Sequence, residues 1–397
     1  MVFTPIGPTD IKGTIDPALI ERADSLALQS AKLTGNHSEE ILDTIRGHLR
    51  IINSYYSNRI ESEGTHPLDI EAAMHRNFSN DKRERSLQQL SIAHMQTQRW
   101  IEENAPLSPT PYSASFICAI HEHFYSQEGM KAFLHIEHDG ISAYMIPGAL
   151  RDRDVYVADH TAPQADQVAS LMAQYEDLYS RTLRGSLGNW IIHAFASHHR
   201  LLWIHPFIDG NGRTARLALD GIFYHMNLEG YGLWNISRGL ARRSEAYKAA
   251  LRRADMIRQG SLDGRGALSS MALKELVTLM LECAEDQVSY MSRYLRLSEL
   301  GSRIDAFVER SQKKELTIDP LPKRANALFK ELLIYGAIPR GKVALLIGAS
   351  DRTGTTVIKE LLNRGYLESD SQKGPVRLKI DAYFASHLFP ELVPEPR

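Results

Sequence analysis

With 397 residues the chain exceeds what one ordinary hydrophobic core fills, so more than one domain is expected. An apolar share of 43% and a charged share of 24% are those of a folded globular protein. Lys+Arg 46 against Asp+Glu 48 leave a net charge of -2, which excludes nucleic-acid binding through an overall basic field and restricts any DNA contact to a local patch.

Cys118 and Cys283 lie far apart in apolar helical contexts, so neither a disulfide framework nor a zinc knuckle is expected, and a reducing cytoplasm fits best. Met1 to Lys12 lacks a basic patch followed by an apolar stretch, and no window reaches the ~18 apolar residues of a membrane span. Neither a targeting signal nor a membrane segment is expected.

Helical periodicity dominates the chain. Leu42, Ile45, Leu49, Ile52 and Tyr56 recur at three- and four-residue steps and predict a helix over 37–60, with Asn36 as N-cap and Glu39 three residues on. Pro106, Pro109 and Pro111 break the pattern before an apolar helix over 113–125. Ile141–Ile146 and Asp154–Ala158 carry β-branched or aromatic residues around Pro147 and Gly148, which predicts one hairpin. Helices follow over 165–182, 187–203, 213–227, 245–257 and 268–297. The pattern weakens from Gly301 to Pro322, read as a linker. Helices over 323–335, 340–347 and 352–363 and strands at 366–368 and 376–380 then give the order of a winged helix-turn-helix. The domains are therefore drawn as 1–105, a helical N-terminal region; 106–300, the core; 301–322, the linker; and 323–397, the winged unit.

The chemistry concentrates in HPFIDGNGRTAR, residues 205–216, which joins one apolar helix to the next. Gly210 and Gly212 flank Asn211 just before a helix, so backbone N–H groups and the positive helix end converge on an anion. Arg213 and Arg216 stand three residues apart on the first turns, where both guanidinium groups face the same phosphates. Asp209 offers a hard oxygen for Mg²⁺. His205, with an ordinary pKa near ~6.5, is the candidate general base.

This segment resembles the Fic family signature HxFx(D/E)GNGRxxR, with every specified position present. The resemblance covers about residues 37–290. It implies a mainly α Fic (Fido) core with a β-hairpin flap, and a reaction in which a Ser, Thr or Tyr hydroxyl of a target protein attacks the α-phosphate of ATP. By position, it implies His205 as base, Asp209 as Mg²⁺ ligand, Gly210, Asn211 and Gly212 as anion nest, Arg213 and Arg216 as β/γ-phosphate grips, and Phe207 as packing that fixes the loop. YMIPGALRDRDVYVADHTAP resembles the flap, with Val155, Tyr156, Val157 and Ala158 against the nucleotide and the target's backbone added as a strand. Tyr247 resembles the position lining the adenine pocket, and Asp255 stands where some relatives have Asn.

SNRIESEG, residues 57–64, resembles the family's inhibitory motif (S/T)xxxE(G/N), with Ser57 and Glu61 one turn apart on one helix face. The resemblance implies that Glu61 reaches Arg216 and spoils the γ-phosphate grip. Ser62 departs from the motif's Gly or Asn, and Glu63-Gly64 offers a second register. Glu61 is preferred because its register keeps the Ser and the helical spacing, and Glu63 stays open.

Other motifs carry less. Gly336 to Lys342 imitates a P-loop, but Val343 stands in the Ser/Thr position. His121 and His123, His135 and His138, and His198 and His199 lack any zinc arrangement and are read as packing or surface groups. Arg352, Lys359 and Arg364 give the winged unit a basic face diluted by Glu360, Glu368 and Asp370, so DNA contact and protein docking through 323–384 stay equally open. The expectation is thus an ATP- and Mg²⁺-dependent protein adenylyltransferase restrained by Glu61, with self-modification and homo-oligomerisation in view. The rivals are AMP removal at the same site and a DNA-binding regulator that senses nucleotide.

Overall fold

The computed structural model describes residues 3–35, 37–138, 141–157, 160–183 and 185–394. The first helices are α1 (Pro17–Ala31), α2 (Glu39–Ile60), α3 (Pro67–Met74), α4 (Lys82–Asn104) and α5 (Ala114–Tyr125). Four short strands follow, β1 (His135–His138), β2 (Ile141–Tyr144), β3 (Tyr156–Val157) and β4 (His160–Thr161). The central helices are α6 (Ala165–Ser180), α7 (Leu187–Ile204), α8 (Asn211–His225), α9 (Ile236–Arg242), α10 (Ser244–Ala254), α11 (Ser270–Tyr294) and α12 (Leu297–Gln312). The C-terminal part holds α13 (Ala325–Tyr335), β5 (Ala337–Ile338), α14 (Arg340–Leu346), α15 (Asp351–Asn363), β6 (Leu367–Glu368), β7 (Val376–Leu378) and α16 (Ala382–Leu388). The fold is mainly α.

Helix α7 runs through the centre. Its Ile191, Ile192, Ala194, Phe195 and Ala196 are wholly buried, because α1, α6, α8 and α11 cover it on all sides. Helix α8 packs on α7, with Phe223 edge-on to Phe195, and turns its other faces to α2, α4 and α5. Ser113 caps α5 by accepting from the Phe116 N–H, and Ser186 caps α7 by accepting from the Asn189 N–H.

Three expectations need correction. Helix α2 begins at Glu39 behind Ser38, and Asn36, expected as its cap, lies outside the described residues. The single hairpin expected from 141–146 and 154–158 is two hairpins: Ile141–Tyr144 pairs with His135–His138, and Tyr156–Val157 with His160–Thr161. Each strand pairs with its sequence neighbour, and the Pro147-Gly148 segment leads from one hairpin to the next. The expected linker at 301–322 is helix α12 as far as Gln312, where Leu300, Ile304, Phe307 and Val308 form a buried stripe that Gly301 does not interrupt.

In the C-terminal part, β5, β7 and β6 form one antiparallel sheet in that order. Phe307, Phe329, Tyr366 and Phe384 cluster beneath it. This part is tied to the rest: Tyr56 of α2 donates to the Leu392 carbonyl at 3.3 Å, and Arg238 of α9 to the Glu391 carbonyl at 3.0 Å. Among the described residues no helix is long and apolar enough to cross a membrane.

Candidate active site

Helix α7 ends at His205, which takes a left-handed conformation (φ 52, ψ 61) ahead of Pro206 while its N–H still reaches the Leu201 carbonyl at 3.1 Å. A non-glycine residue held there costs energy and persists only where its surroundings fix it. Arg151 does the fixing. Its Nε donates to the His205 carbonyl at 2.7 Å, its Nη2 to the carbonyls of Pro163 and Ile204, and its N–H to the Pro206 carbonyl at 2.9 Å. Arg151 is 3% exposed and was not singled out in the sequence, because every acceptor it uses is a backbone carbonyl.

The loop then closes on itself. The Asn211 amide accepts from the Phe207 N–H at 2.9 Å and donates to the Phe207 carbonyl at 2.9 Å, which clamps both ends of the turn. The Asn211 side chain is therefore a brace, and its backbone N–H remains with those of Gly210 and Gly212 at the start of α8. None of the three finds an acceptor among the described residues. Gly210 stands at φ 76, and a Cβ on it would lie 2.3 Å from the Tyr125 hydroxyl.

Arg213 and Arg216 are almost wholly buried, and the end of α2 with the turn after it meets both. Glu61 accepts from Arg216 at 2.8 Å, Ser57 Oγ accepts from its Nε at 3.0 Å, and the Ser57 carbonyl from its Nη2 at 3.0 Å. Glu63 accepts from Arg213 Nη1 at 2.6 Å. Both registers left open in the sequence are thus filled at once, each carboxylate on its own arginine. The two differ electrostatically. Burial works to raise the Glu61 pKa, but the charges of Arg216 and Arg213 outweigh it and leave the carboxyl below its ordinary value. For Glu63, burial outweighs Arg213, Asp209 and Glu61 add repulsion, and the pKa is raised.

Helix α5 supports the loop from below. The His121 ring stacks on Phe207 with centroids 3.9 Å apart and planes at 12°. Its Nδ1 accepts from the Gly148 N–H at 2.8 Å, and its Nε2 donates to the Asp209 carbonyl at 3.2 Å. Burial pulls its pKa down to about 4, so the ring is neutral near pH 7. Sequence reading left His121 among packing histidines, since its partners are main-chain groups distant in sequence. His198 and His199 are also interior: His198 bonds the Tyr247 hydroxyl at 2.7 Å, and His199 pairs with Asp255 at 3.0 Å.

The remaining expected residues fall as follows. Tyr247 is 2% exposed and backs Arg216, its hydroxyl occupied by His198. Val155 is half-buried, the backbones of Tyr156 and Val157 form β3, and Ala158 lies outside the described residues. Asp209 is half-buried, and among the described residues no protein donor takes its carboxylate. No cluster of three or more His, Cys, Asp or Glu is present among them. A single open carboxylate beside an anion nest is the donor set of a Mg²⁺ whose other ligands are water and phosphate oxygens, and in that respect the site fits the ion.

A nest of N–H groups, two buried arginines, an open carboxylate and a half-buried histidine are thus gathered within one helix–loop–helix. Residues 111–222 match the Fic/DOC family, so the chain carries a Fic/DOC-family domain. It is 41% identical over 73 residues to the protein adenylyltransferase Fic of Drosophila willistoni, covering 18% of this chain and 14% of that protein. To the protein of the same name from Nematostella vectensis it is 40% identical over 76 residues, 19% of this chain and 17% of the relative. The chain thus matches less than a fifth of the length of these curated relatives.

Among solved structures, a Fic family protein from Desulfovibrio desulfuricans G20 aligns with a TM-score of 0.51 at 18% identity, over 92% of this chain and 97% of that one. Fic-1 from C. elegans aligns at 0.53 and 17% identity, over 71% of this chain and 74% of that one. At these identities the likeness is one of fold.

Proposed function

We propose that the chain transfers AMP from ATP to a Ser, Thr or Tyr hydroxyl of a protein, and that Glu61 and Arg216 hold this activity in check. The observation that carries the reading is the placement of Arg213 and Arg216, both buried, just past the free N–H groups of Gly210, Asn211 and Gly212, with His205 at the other end of the loop. Such a cradle suits a polyphosphate, and a histidine beside it suits proton transfer at neutral pH.

In this reading the arginines hold the β- and γ-phosphates and the nest orients the α-phosphate. The target hydroxyl oxygen forms a bond to the α-phosphorus, the bond from that phosphorus to the bridging oxygen breaks, and pyrophosphate leaves with the electron pair. His205 Nε2 or Nδ1 takes the hydroxyl proton. Asp209 would hold Mg²⁺, which supplies neutralisation of charge on the phosphates. The left-handed His205 and its Arg151 clamp keep the imidazole at the helix end, where positioning is most of the catalysis. The pairing of Arg216 with Glu61 withholds a phosphate ligand, so the conformation described is the restrained one.

The test incubates wild type, Glu61→Gly and His205→Ala with ATP labelled at the α- or the γ-phosphate. Label from the α-phosphate alone, raised in Glu61→Gly and lost in His205→Ala, is the expected result. Release of AMP from a pre-modified protein, with no incorporation, would instead favour AMP removal at this site.

For the C-terminal part, a winged helix-turn-helix with a DNA-contacting face rests on Arg352 and Lys359, both exposed on α15. The third basic residue, Arg364, is committed to the carbonyls of Asp319 and Pro320 and to Glu360. Duplex DNA binding by the full chain that disappears in Arg352→Glu/Lys359→Glu would support it. Equal binding by both proteins would leave protein docking as the role of this unit.

A further inference from the structure

His121 lies outside the 205–216 signature, yet its side chain touches the loop at both Phe207 and Asp209. It stands on α5, is wholly buried, and its ring meets three things at once: the Phe207 ring at 3.9 Å, the Gly148 N–H at 2.8 Å and the Asp209 carbonyl at 3.2 Å. The first is in the loop, the second is where the chain leaves the β1–β2 hairpin, and the third immediately precedes the nest.

The two polar partners settle the ring's state. A backbone N–H can only donate and a carbonyl can only accept, so Nδ1 is bare and Nε2 carries the proton. The opposite tautomer would set a donor against Gly148 and an acceptor against Asp209 and lose both bonds. Stacking on Phe207 fixes the ring plane, so Nε2–H has one direction.

The consequence lies across one peptide unit. The Asp209–Gly210 peptide is trans, and in a planar trans unit the N–H points opposite to the C=O. With the Asp209 carbonyl held toward α5, the Gly210 N–H is aimed away from α5, on the open side of the loop where it has no acceptor among the described residues. Rotating that peptide would turn a carbonyl oxygen into the nest, where an anion would meet a lone pair in place of a donor. Gly210 is free to rotate in this way because it lacks a Cβ. A glycine nest therefore requires something outside itself to choose its orientation.

We propose that His121 is a positioning residue for nucleotide, which, through its Nε2–H bond to the Asp209 carbonyl, orients the Gly210 N–H toward the phosphates. The proposal rests on the nucleotide-handling role of the 205–216 loop. It adds to that role a residue on a different helix, and it ties the end of the β1–β2 hairpin, through Gly148, to the same ring.

The experiment uses the full chain in a Glu61→Gly background with three substitutions. His121→Gln places an amide N–H₂ near the former Nε2 and can still donate to Asp209. His121→Asn places an amide oxygen near the former Nδ1, which serves Gly148 and leaves Asp209 without a donor. His121→Phe keeps the stack on Phe207 and removes both bonds. Affinity for ADP with Mg²⁺ is measured by calorimetry, AMP transfer by α-phosphate label, and melting temperature alongside. His121→Gln is expected to stay within about threefold of the parent in affinity, while His121→Asn and His121→Phe lose roughly 10–100-fold.

A second readout needs no activity. The ¹⁵N shifts of the His121 ring in the parent protein at neutral pH should show a protonated Nε2 and a bare Nδ1, before and after ADP is added. The proposal is overturned by a protonated Nδ1, by ADP affinities alike in Gln, Asn and Phe variants, or by losses that follow melting temperature alone. If the Glu61→Gly parent transfers no AMP but the ADP series holds, the transferase reading fails and the positioning role stands.

Discussion

Glu63 Oε2 and Arg213 Nη1 lie 2.6 Å apart, so the first arginine of the proposed phosphate cradle has a carboxylate of its own, beside the Glu61–Arg216 pair at 2.8 Å. The end of α2 explains how one turn serves both. The Ser62 N–H reaches the Arg59 carbonyl and the Glu63 N–H the Asn58 carbonyl, each at 3.0 Å, with Ser62 left-handed at φ 63. That is a Schellman turn, in which the residues on either side of the left-handed position project from a tightly closed helix end. Here those residues are Glu61 and Glu63.

Release of the cradle is therefore expected in two stages. Glu61→Gly takes the carboxylate from Arg216, which keeps its bonds to Ser57, and leaves Arg213 paired; Glu63→Gln does the reverse; the double variant leaves neither arginine its carboxylate. Affinity for ATP should rise in each single variant by a few-fold to about tenfold and more in the double, with coupling between the sites because they share one turn. Equal affinities in Glu61→Gly and the double variant would show that Glu63 does not compete with phosphate.

The two carboxyls also predict different responses to acid. The Glu63 pKa is raised, so its charge is lost earlier on acidification, whereas that of Glu61 is lowered and its charge persists. The gain in ADP affinity from Glu63→Gln should therefore shrink first as the pH is lowered from neutral toward the ordinary carboxylate range, while the gain from Glu61→Gln persists further into acid. The same direction of change for both, followed by calorimetry across that range, would contradict it.

Ser62 pays the cost of a side chain at a left-handed position where glycine is unstrained. Ser62→Gly should stabilise the turn by about 0.5–1 kcal/mol and hold both carboxylates more firmly, lowering basal AMP transfer. Chemical denaturation and the label assay check the two halves separately. A stabilised protein with higher transfer would mean that the turn does not position the carboxylates.

Asp220, one turn beyond Arg216 on α8, is buried and has its pKa pushed up to about 7, mainly by burial and against hydrogen bonds from Tyr231, Asn235 and Asn53. Its folded pKa lies above its unfolded one, so the neutral form is favoured by folding. That contribution is complete below about pH 4 and is lost as pH rises through about 7. Asp220→Asn should match wild type in melting temperature near pH 5 and exceed it near pH 8, because the amide never has to bury a charge. A constant difference across pH would place the wild-type group outside this range.

What the sequence made legible was local. The 205–216 spacing and the helical stripe of α2 follow from periods of three and four residues and from residue chemistry, and the reach of Glu61 to Arg216 from the resemblance of 57–64 to an inhibitory motif. Less accessible were contacts made through the main chain. Arg151 and His121 act on carbonyls and an N–H, which leave no trace in side-chain pattern, and Asn211 uses its amide to brace Phe207. The strand pairing was misjudged because alternation marks a strand without naming its partner. Helix α12 was missed because Gly301 and a thinning pattern looked like a linker, although Leu300, Ile304, Phe307 and Val308 continue the helical period.

The two glycines of the nest should fail differently when given a methyl group. At Gly210 a Cβ would sit 2.3 Å from the Tyr125 hydroxyl and 2.6 Å from its ring, at a φ of 76. The buried tyrosine has nowhere to go, so Gly210→Ala should cost at least the 1–2 kcal/mol of a left-handed residue and lower both stability and nucleotide affinity. At Gly212 the Cβ would meet Glu61 Oε1 at 2.3 Å, the end of a flexible side chain, within a helix that favours alanine. Gly212→Ala should keep its melting temperature and displace Glu61, yet the methyl group stands where phosphate oxygens approach the nest. It is therefore expected to loosen the Glu61–Arg216 pair without the rise in AMP transfer that Glu61→Gly produces. Melting temperature, ADP affinity and label incorporation measured on the two variants separate these effects. Activation by Gly212→Ala to the level of Glu61→Gly would show that phosphate does not approach Gly212 closely, and would move the cradle toward the arginines alone.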